Sequence, residues 1–324
     1  MNEQWKKAVI HLECATDSKS IYDRLDEEEE LDKKLRKGEI TSEEYRDKTE
    51  FKSRDVRFQG TALFISHNGN RYLLTARHVL FDEISAKGLY DLEGRIVSKH
   101  PSDLKEDSLA YAHKRSLNKI FNCIFRVPSL DEVLSGGNAE NRESLNCLGS
   151  GLPDCLPYIF SSPEIDLALI SLDNKKNECF ANELEVLGYS PIPSSLIKDE
   201  PSKEGVDVFT VGFPGAVSLL GRANIDSVAE NWASNYYSLP VFSWGKVSML
   251  HTELPFYWCD MSIYPGNSGG PVIEDGKLVG VVSAQAVLPI DGLPQITTRI
   301  PFAKIIKTSF VKELIDALEA KGNK

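Results

Sequence analysis

The sequence lacks any apolar run approaching the roughly 20 residues that a membrane-spanning helix needs. It also lacks a secretory signal, because the short apolar stretch after MNEQWKK contains His11 and Glu13. We therefore expect a cytoplasmic protein with no membrane partner.

Cysteine is scarce and is not arranged in pairs. The chain has 6 cysteines in 324 residues and no CxxC sequence, so reduced thiols are expected in a protein that is not exported. His100, His113, Cys123, Cys147 and Cys155 share one irregular segment, but no two of them have the spacing of two to four residues that structural zinc sites use. We expect no metal.

Basic residues are also in short supply. Lysine and arginine number 37 against 48 acidic residues, which gives a net charge of −11. This charge repels phosphate backbones and argues against general nucleic-acid binding. A protein or peptide is the expected partner.

The residues that are present indicate a soluble β protein. The chain is 41% hydrophobic and 26% charged, and it is long enough for about two domains. Short runs rich in β-branched and aromatic residues alternate with turn residues, among them RYLLTA (71–76), KLVGVVSA (277–284) and QITTRIP (295–301). Asn68-Gly69 and Asp275-Gly276 are hairpin turn signals, so the pattern favours barrels or a sandwich.

Three segments depart from this pattern. Residues 21–50 are rich in charged residues and predict an inserted helical hairpin. This hairpin is either a solvent-exposed surface segment without a partner or a docking and regulatory arm. Residues 82–160 are an irregular insertion. Residues 308–324 predict an amphipathic helix whose apolar face packs on the body of the protein.

The loop PGNSGG makes Ser268 a candidate nucleophile. A serine hydroxyl needs a base to take its proton and donors for the oxyanion that forms. Flanking glycines permit unusual dihedral angles and let backbone N–H groups converge, so the amides of Gly266 and Ser268 are candidate oxyanion donors.

The base and its orienting acid come from other parts of the chain. Six histidines are available, and His78 lies at the end of the predicted strand RYLLTA, on a rigid element. Asp166 begins the apolar run IDLALISL, where a lone carboxylate is costly unless a group such as an imidazole N–H bonds to it. The residues alone leave the choice among the histidines open.

The segments TARHV, IDLALI and PGNSGGP together resemble the trypsin-like (chymotrypsin-fold) serine endopeptidases, whose active-site residues follow the chain order His, Asp, Ser. The serine loop is most similar to that of bacterial stress proteases of the high-temperature-requirement group. The resemblance implies His78, Asp166 and Ser268 as catalytic residues, with Gly266 and Ser268 as the oxyanion hole. It also implies a mostly β fold of two six-stranded antiparallel β-barrels, over residues 1–205 and 206–307, followed by the helix.

The same resemblance implies a substrate pocket and sets limits on it. Ser262 and Ile263 on one side, with Ser283 and Ala284 on the other, are the expected walls. No acid stands at Ser262, so a small or medium apolar side chain is the expected preference. Only one helix follows the second barrel, which implies a protease without a PDZ domain.

The implied activity is cleavage of protein or peptide substrates through an acyl-enzyme, with no organic cofactor. Asn267 replaces the aspartate that pairs with a newly cut N-terminus in zymogens, so activation by clipping is not implied. The alternative is a catalytically silent fold that binds peptides or acts as an adaptor. In either case a regulatory protein could bind through residues 21–50.

Overall fold

The computed structural model divides the chain into two compact units. One unit contains Met1–Cys14, Phe58–Leu80 and Cys123–Lys324, and the other contains Ala15–Arg57 and Phe81–Asn122. The residues that the structure describes are 2–16, 21–49, 56–81, 122–124, 157–173, 178–215, 219–222 and 236–322.

Seven strands of the N-terminal half form one sheet in the order β4-β1-β2-β3-β6-β5, with β7 parallel to β2. Asn68 and Gly69 join β2 to β3 with φ of +49° and +84°, the left-handed pair of a tight hairpin turn. The strands are β1 Val9–Thr16, β2 Val56–His67, β3 Asn70–Ala76, β4 Asn122–Ile124, β5 Tyr158–Phe160, β6 Leu167–Ser171 and β7 Ile192–Pro193.

Six strands of the C-terminal half close into an antiparallel barrel. They are β8 Asp207–Gly212, β11 Val241–Met249, β12 Phe256–Cys259, β13 Pro271–Glu274, β14 Lys277–Ile290 and β15 Leu293–Lys307. The order around the barrel is β11-β12-β15-β14-β13-β8, while β9 Leu219–Arg222 and β10 Tyr236–Ser238 pair with each other. The predicted mostly β fold with a six-stranded antiparallel barrel in the C-terminal half is confirmed. In place of the first six-stranded antiparallel barrel that was expected, the described residues of the N-terminal half form the seven-stranded sheet, which includes a parallel pair.

One apolar core joins the first sheet to this barrel. Leu63 and Ile65 of β2 belong to the same buried cluster as Val211 of β8 and Ile273 of β13. Burial of apolar surface is the main favourable term in folding, so this cluster holds together the two halves that carry the candidate site residues. A second cluster, which includes Val208, fills the barrel itself.

The described helices are short. They are α1 Asn2–Ala8, α2 Ile21–Arg36, α3 Ser42–Thr49, α4 Arg77–Leu80, α5 Glu178–Val186, α6 Ser309–Gly322 and the 3₁₀ turn Ser194–Leu196. The C-terminal helix α6 buries Val311, Leu314, Ile315 and Leu318, which confirms its predicted apolar face. Within the described ranges, no helix has the length and apolar character that crossing a membrane requires.

The predicted helical hairpin over 21–50 is present as α2 and α3. Thr41 caps α3, because its hydroxyl accepts a hydrogen bond from the Glu44 amide at 3.2 Å while the Glu44 carboxylate accepts from the Thr41 amide at 2.8 Å. Ion pairs between exposed side chains, such as Lys33 with Glu29, cover the surface of α2. A regulatory partner for this hairpin stays a prediction.

Some expectations concern parts of the chain that the structure does not describe. Most of the irregular insertion 82–160 lies outside the described residues, and so do His100 and His113. The boundaries expected at 205 and 307 stay predictions.

Candidate active site

His78 in α4, which follows β3, and Asp166, which precedes β6, lie side by side although they are 88 residues apart in sequence. His78 Nδ1 lies 2.8 Å from Asp166 Oδ2, and the His78 backbone amide donates to Asp166 Oδ1 at 3.0 Å. An ionised carboxylate can only accept, so Nδ1 carries the ring proton and Nε2 of the neutral ring is left as an acceptor. The pair therefore fixes both the tautomer and the orientation of the imidazole.

The backbone turn before β6 aims the Asp166 carboxylate at His78. Asp166 has a φ of +52°, which non-glycine residues seldom adopt, and its carbonyl accepts from the Arg77 amide at 3.0 Å. The Asp166 side chain is 13% exposed, whereas that of His78 is 51% exposed. The carboxylate is thus held inside, and the ring reaches solvent.

The pKa of the Asp166 carboxyl lies below its ordinary value. Burial acts to raise this pKa, but the hydrogen bond and charge of His78, together with the Ser283 hydroxyl, more than offset burial. The residue is therefore ionised over the neutral pH range and can stabilise a protonated His78.

The serine loop requires glycine at two positions. Gly266 has a φ of +103°, and a Cβ there would lie 2.1 Å from the Phe213 carbonyl oxygen. Gly269 has a φ of +84°, and a Cβ there would lie 2.0 Å from the Thr61 carbonyl oxygen. Any side chain at either position would both clash and adopt an unfavourable dihedral angle, so glycine sets the path of the loop around Ser268.

Asn267 fixes the same loop from within. Its side chain is almost fully buried, and the side-chain Oδ1 accepts from the backbone amide of Tyr264 at 3.0 Å. The backbone amide of Asn267 donates to the Tyr264 carbonyl, also at 3.0 Å. Neither the Gly266 amide nor the Ser268 amide has an acceptor among the described residues. Both candidate oxyanion donors are thus free to bind a ligand.

Ser283 connects the two parts of the site. It is skipped in the pairing of β14 with β15, between Val282 opposite Ile305 and Ala284 opposite Lys304. Its hydroxyl donates to Asp166 Oδ2 at 2.5 Å, and its carbonyl accepts from Ser268 Oγ at 3.1 Å. Such bulges often redirect side chains next to active sites. His78, Asp166 and Ser268 are therefore linked through Ser283, although Ser268 and His78 make no direct hydrogen bond.

The other described histidines have different surroundings. His11 is buried beside the ring of Phe213, and burial lowers its pKa to about 4. His67 Nδ1 lies 2.8 Å from Ser194 Oγ, and His251 is exposed at the end of β11. Of the histidines in the described ranges, only His78 pairs with a carboxylate.

The residues expected to line a substrate pocket are divided between surface and interior. Ser262 and Ala284 are exposed, whereas Ile263 is buried and packs in the core of the barrel. The hydroxyl of Ser283 bonds to Asp166, a role that sequence reasoning missed. The pocket itself stays a prediction.

Thr61 is a second residue that sequence reasoning missed. It lies fully buried on β2, and its hydroxyl donates to the Gly266 carbonyl at 2.7 Å and accepts from the Phe213 amide at 3.1 Å. Its backbone amide also donates to the Ser268 carbonyl at 2.8 Å. Thr61 thus holds the serine loop against β2, whose neighbour β3 leads directly into α4 and His78. The sequence feature that could have identified Thr61 is its hydroxyl within the otherwise apolar run GTALFI.

We expect Thr61→Val to lower the free energy of unfolding by about 3 kcal/mol, because it leaves the buried Gly266 carbonyl and Phe213 amide without partners. Urea unfolding followed by tryptophan fluorescence measures this. The control is Thr61→Ser, which keeps the hydroxyl and loses one methyl group, at a cost of about 1 kcal/mol. Equal stability of the two variants would show that the hydroxyl does not hold the loop.

Comparison with known proteins agrees with this geometry. A family model described as a trypsin-like peptidase domain matches residues 60–281, a range that includes His78, Asp166 and Ser268. The chain is also 27% identical over 123 residues to a protein named serine protease DegP homolog from Plasmodium falciparum. That alignment covers 38% of this chain and 11% of the relative, so the chain spans a small part of the relative's length. Because the family model matches more than half of the chain, the chain belongs to the trypsin-like peptidase family.

Proposed function

We propose that the protein is a serine endopeptidase that cleaves protein or peptide substrates through an acyl-enzyme. The observation that carries this proposal is the hydrogen-bonded pair of His78 and Asp166, linked through Ser283 to the hydroxyl of Ser268. An acid, a base and a nucleophile in this arrangement are what acyl transfer from a peptide requires.

The first half of the proposed cycle forms the acyl-enzyme. Rotation about the Cα–Cβ bond of Ser268 releases its hydroxyl from the Ser283 carbonyl and turns it toward His78 Nε2. The ring takes the hydroxyl proton as Oγ bonds to the substrate carbonyl carbon, and the amides of Gly266 and Ser268 bind the oxyanion. Collapse of this intermediate breaks the C–N bond, and His78 gives its proton to the departing amine.

The second half of the cycle releases the acyl group. Water loses a proton to His78 and attacks the ester carbonyl, and the Ser268 hydroxyl forms again as the ester bond breaks. Asp166 stabilises the imidazolium in both halves, which agrees with a carboxyl that stays ionised at neutral pH. The cycle needs no metal or organic cofactor.

One observation favours the alternative of a catalytically silent peptide-binding module. Ser268 Oγ donates to the Ser283 carbonyl instead of to the ring of His78. Hydrogen bonds of catalytic groups often tighten only when substrate is bound, so this geometry is compatible with catalysis.

A fluorophosphonate probe separates the two functions. Its phosphorus is attacked by an activated serine, so we expect one probe per chain, attached at Ser268 and located by tandem mass spectrometry.

The control is the same chain unfolded in urea, where the Ser268 hydroxyl has no base and should stay unlabelled. A folded protein that remains unlabelled after prolonged exposure would favour the silent module. Labelling at another serine would contradict the proposed nucleophile.

A further inference from the structure

β14 and β15 continue beyond the barrel as a two-stranded ribbon. The neighbouring strands end before it, because β13 pairs with β14 only as far as Val281 and β12 pairs with β15 only as far as Ala303. Over residues 286–302, which we call the apolar ribbon, no described strand other than these two takes part. The ribbon lies outside residues 60–281, the part that the family model matches, so the family match assigns it no role.

The apolar ribbon exposes many large apolar side chains. It carries six of the eleven such side chains that are exposed among the described residues, each 38% to 52% exposed. A two-stranded hairpin is marginally stable by itself in water, and a concentration of exposed apolar surface is typical of an interaction site. We therefore expect another surface to cover the ribbon. The six residues are Val287, Leu288, Ile290, Leu293, Ile296 and Phe302.

The charge of the ribbon indicates what covers it. The whole chain has a net charge of −11, whereas the ribbon contains one acid, Asp291, one base, Arg299, and no other charged residue. Two copies of a chain with this charge repel each other over most of their surfaces, and the neutral ribbon is a place where they can approach. An anionic lipid surface is repelled by the same charge, which the single basic residue of the ribbon does not offset.

The two charges lie at different levels of the ribbon, and both side chains are exposed. Asp291 is at the tip, beside Gly292, whose φ is +79°. Arg299 lies opposite Val287, four residues before Asp291 (291 − 287 = 4), so the two levels are roughly 14 Å apart at about 3.4 Å per residue. An ion pair requires about 4 Å, so Asp291 and Arg299 do not pair within one copy.

We propose that the apolar ribbon joins two copies of this chain into a dimer. The two ribbons lie antiparallel across a two-fold axis, so that Asp291 of each copy pairs with Arg299 of the other. In a two-fold contact both ion pairs form at once, and the apolar side chains between them cover each other. The inference goes beyond the proposed function and does not depend on it.

The dimensions of the ribbon set the strength of the dimer. Its β14 strand, residues 286–290, extends about 17 Å, and two paired strands are about 10 Å wide. The shared surface is thus at the low end of specific interfaces, and the dimer is reversible, with a Kd of about 10 µM. Monomer and dimer are both populated at concentrations that can be measured.

Sedimentation velocity of the full-length protein tests the inference. Between about 1 µM and about 100 µM, we expect the sedimentation coefficient to rise from that of a monomer to that of a dimer. Leu288→Ser and Ile296→Ser should each raise the Kd about tenfold, because each substitution removes apolar contact from both copies. The matched control is Val186→Ser at an exposed valine on α5, which should keep the wild-type Kd.

Reversal of the charges tests the two-fold arrangement. Asp291→Arg gives a ribbon with two positive charges and Arg299→Asp gives one with two negative charges, so each variant alone should remain a monomer. An equimolar mixture should form a dimer again, since each charged contact between the two different copies then joins opposite signs. Asp316→Arg, a charge reversal at an exposed position of α6, is the control and should leave association unchanged.

Each outcome either supports the inference or overturns it. Recovery in the mixture supports it and also shows that both variants are folded. A protein that stays monomeric at every concentration, or a dimer whose Kd the ribbon variants do not change, would overturn it. Failure of the mixture to associate, with each variant monomeric alone, would contradict the two-fold pairing.

A further outcome identifies a different occupant of the ribbon. If the ribbon variants lower cleavage of casein while the wild type and the variants all sediment as monomers, the ribbon contacts the substrate and the inference is wrong. Association is measured without substrate and without the Ser268 hydroxyl taking part. Absence of a dimer therefore leaves the proposed function standing, and absence of Ser268 labelling leaves the dimer standing.

Discussion

Ser268→Ala is expected to lower kcat for cleavage of an unfolded protein such as casein by about 10⁶-fold. The alanine has no hydroxyl to attack the carbonyl, so no acyl-enzyme can form and the oxyanion donors have no intermediate to stabilise. Fluorophosphonate labelling should disappear together with cleavage. Release of casein fragments at matched enzyme concentration measures the effect.

The same substitution should leave the fold intact. Ser268 Oγ makes one hydrogen bond, to the Ser283 carbonyl, and losing it costs about 1 kcal/mol. Ser248→Ala is the control, because Ser248 is exposed on β11 and takes no part in the proposed cycle. Cleavage by folded Ser268→Ala at more than about one hundredth of the wild-type rate would require a different nucleophile.

Features set by neighbouring residues could be predicted from the sequence. Asn68-Gly69 and Asp275-Gly276 predict hairpin turns, and all four residues adopt the positive φ that such turns require. The apolar face of α6 was predictable for the same reason. In each case the chemistry lies within a few residues of the chain.

Long-range contacts in the site could not be predicted in this way. Thr61 and Gly266 are 205 residues apart, and Ser283 and Asp166 are 117 residues apart. Their hydrogen bonds depend on how the first sheet packs on the barrel and on a bulge in β14, which no local pattern encodes. The sequence therefore indicated the three separate motifs but not the two hydroxyls that connect them.

The parts of β14 and β15 that extend beyond the barrel show that side-chain pattern alone does not identify the full length of a strand. The sequence predicted strands at 277–284 and 295–301, whereas β14 continues to Ile290 and β15 begins at Leu293. Alternation of apolar and polar residues identifies a strand with one buried face. Residues 287–290 expose their apolar side chains instead, so that signal is missing although the backbone is extended.

Asp166→Asn should lower kcat about 10⁴-fold while leaving Ser268 and His78 in place. One oxygen of Asp166 accepts from the His78 amide, and the other accepts from His78 Nδ1 and the Ser283 hydroxyl. An asparagine has one oxygen and one NH₂ group. If the asparagine oxygen still accepts from the His78 backbone amide, its NH₂ group faces His78 Nδ1. Nδ1 must then accept a hydrogen bond from that NH₂ group. The ring proton moves to Nε2, and His78 can no longer take the proton of Ser268.

Steady-state kinetics and stability curves together test this role. Asp207→Asn is the matched control, since Asp207 forms an exposed pair with Lys246 and such pairs contribute at most about 1 kcal/mol. It should keep wild-type kcat, and equal kcat in both variants would contradict the role of Asp166.

The pH dependence of stability tests the role of the Asp166 carboxylate independently of the kinetics. Because the pKa of Asp166 is lowered in the folded protein, its ionised form stabilises the fold above pH 3.8, its ordinary value. This contribution is lost as the pH falls through the lower pKa of the folded state. The stability of the wild type relative to Asp166→Asn should therefore be greatest near neutral pH and decline in acid. A difference that is constant with pH would mean that the carboxylate charge does not hold His78, and the proposed cycle would lose its orienting acid.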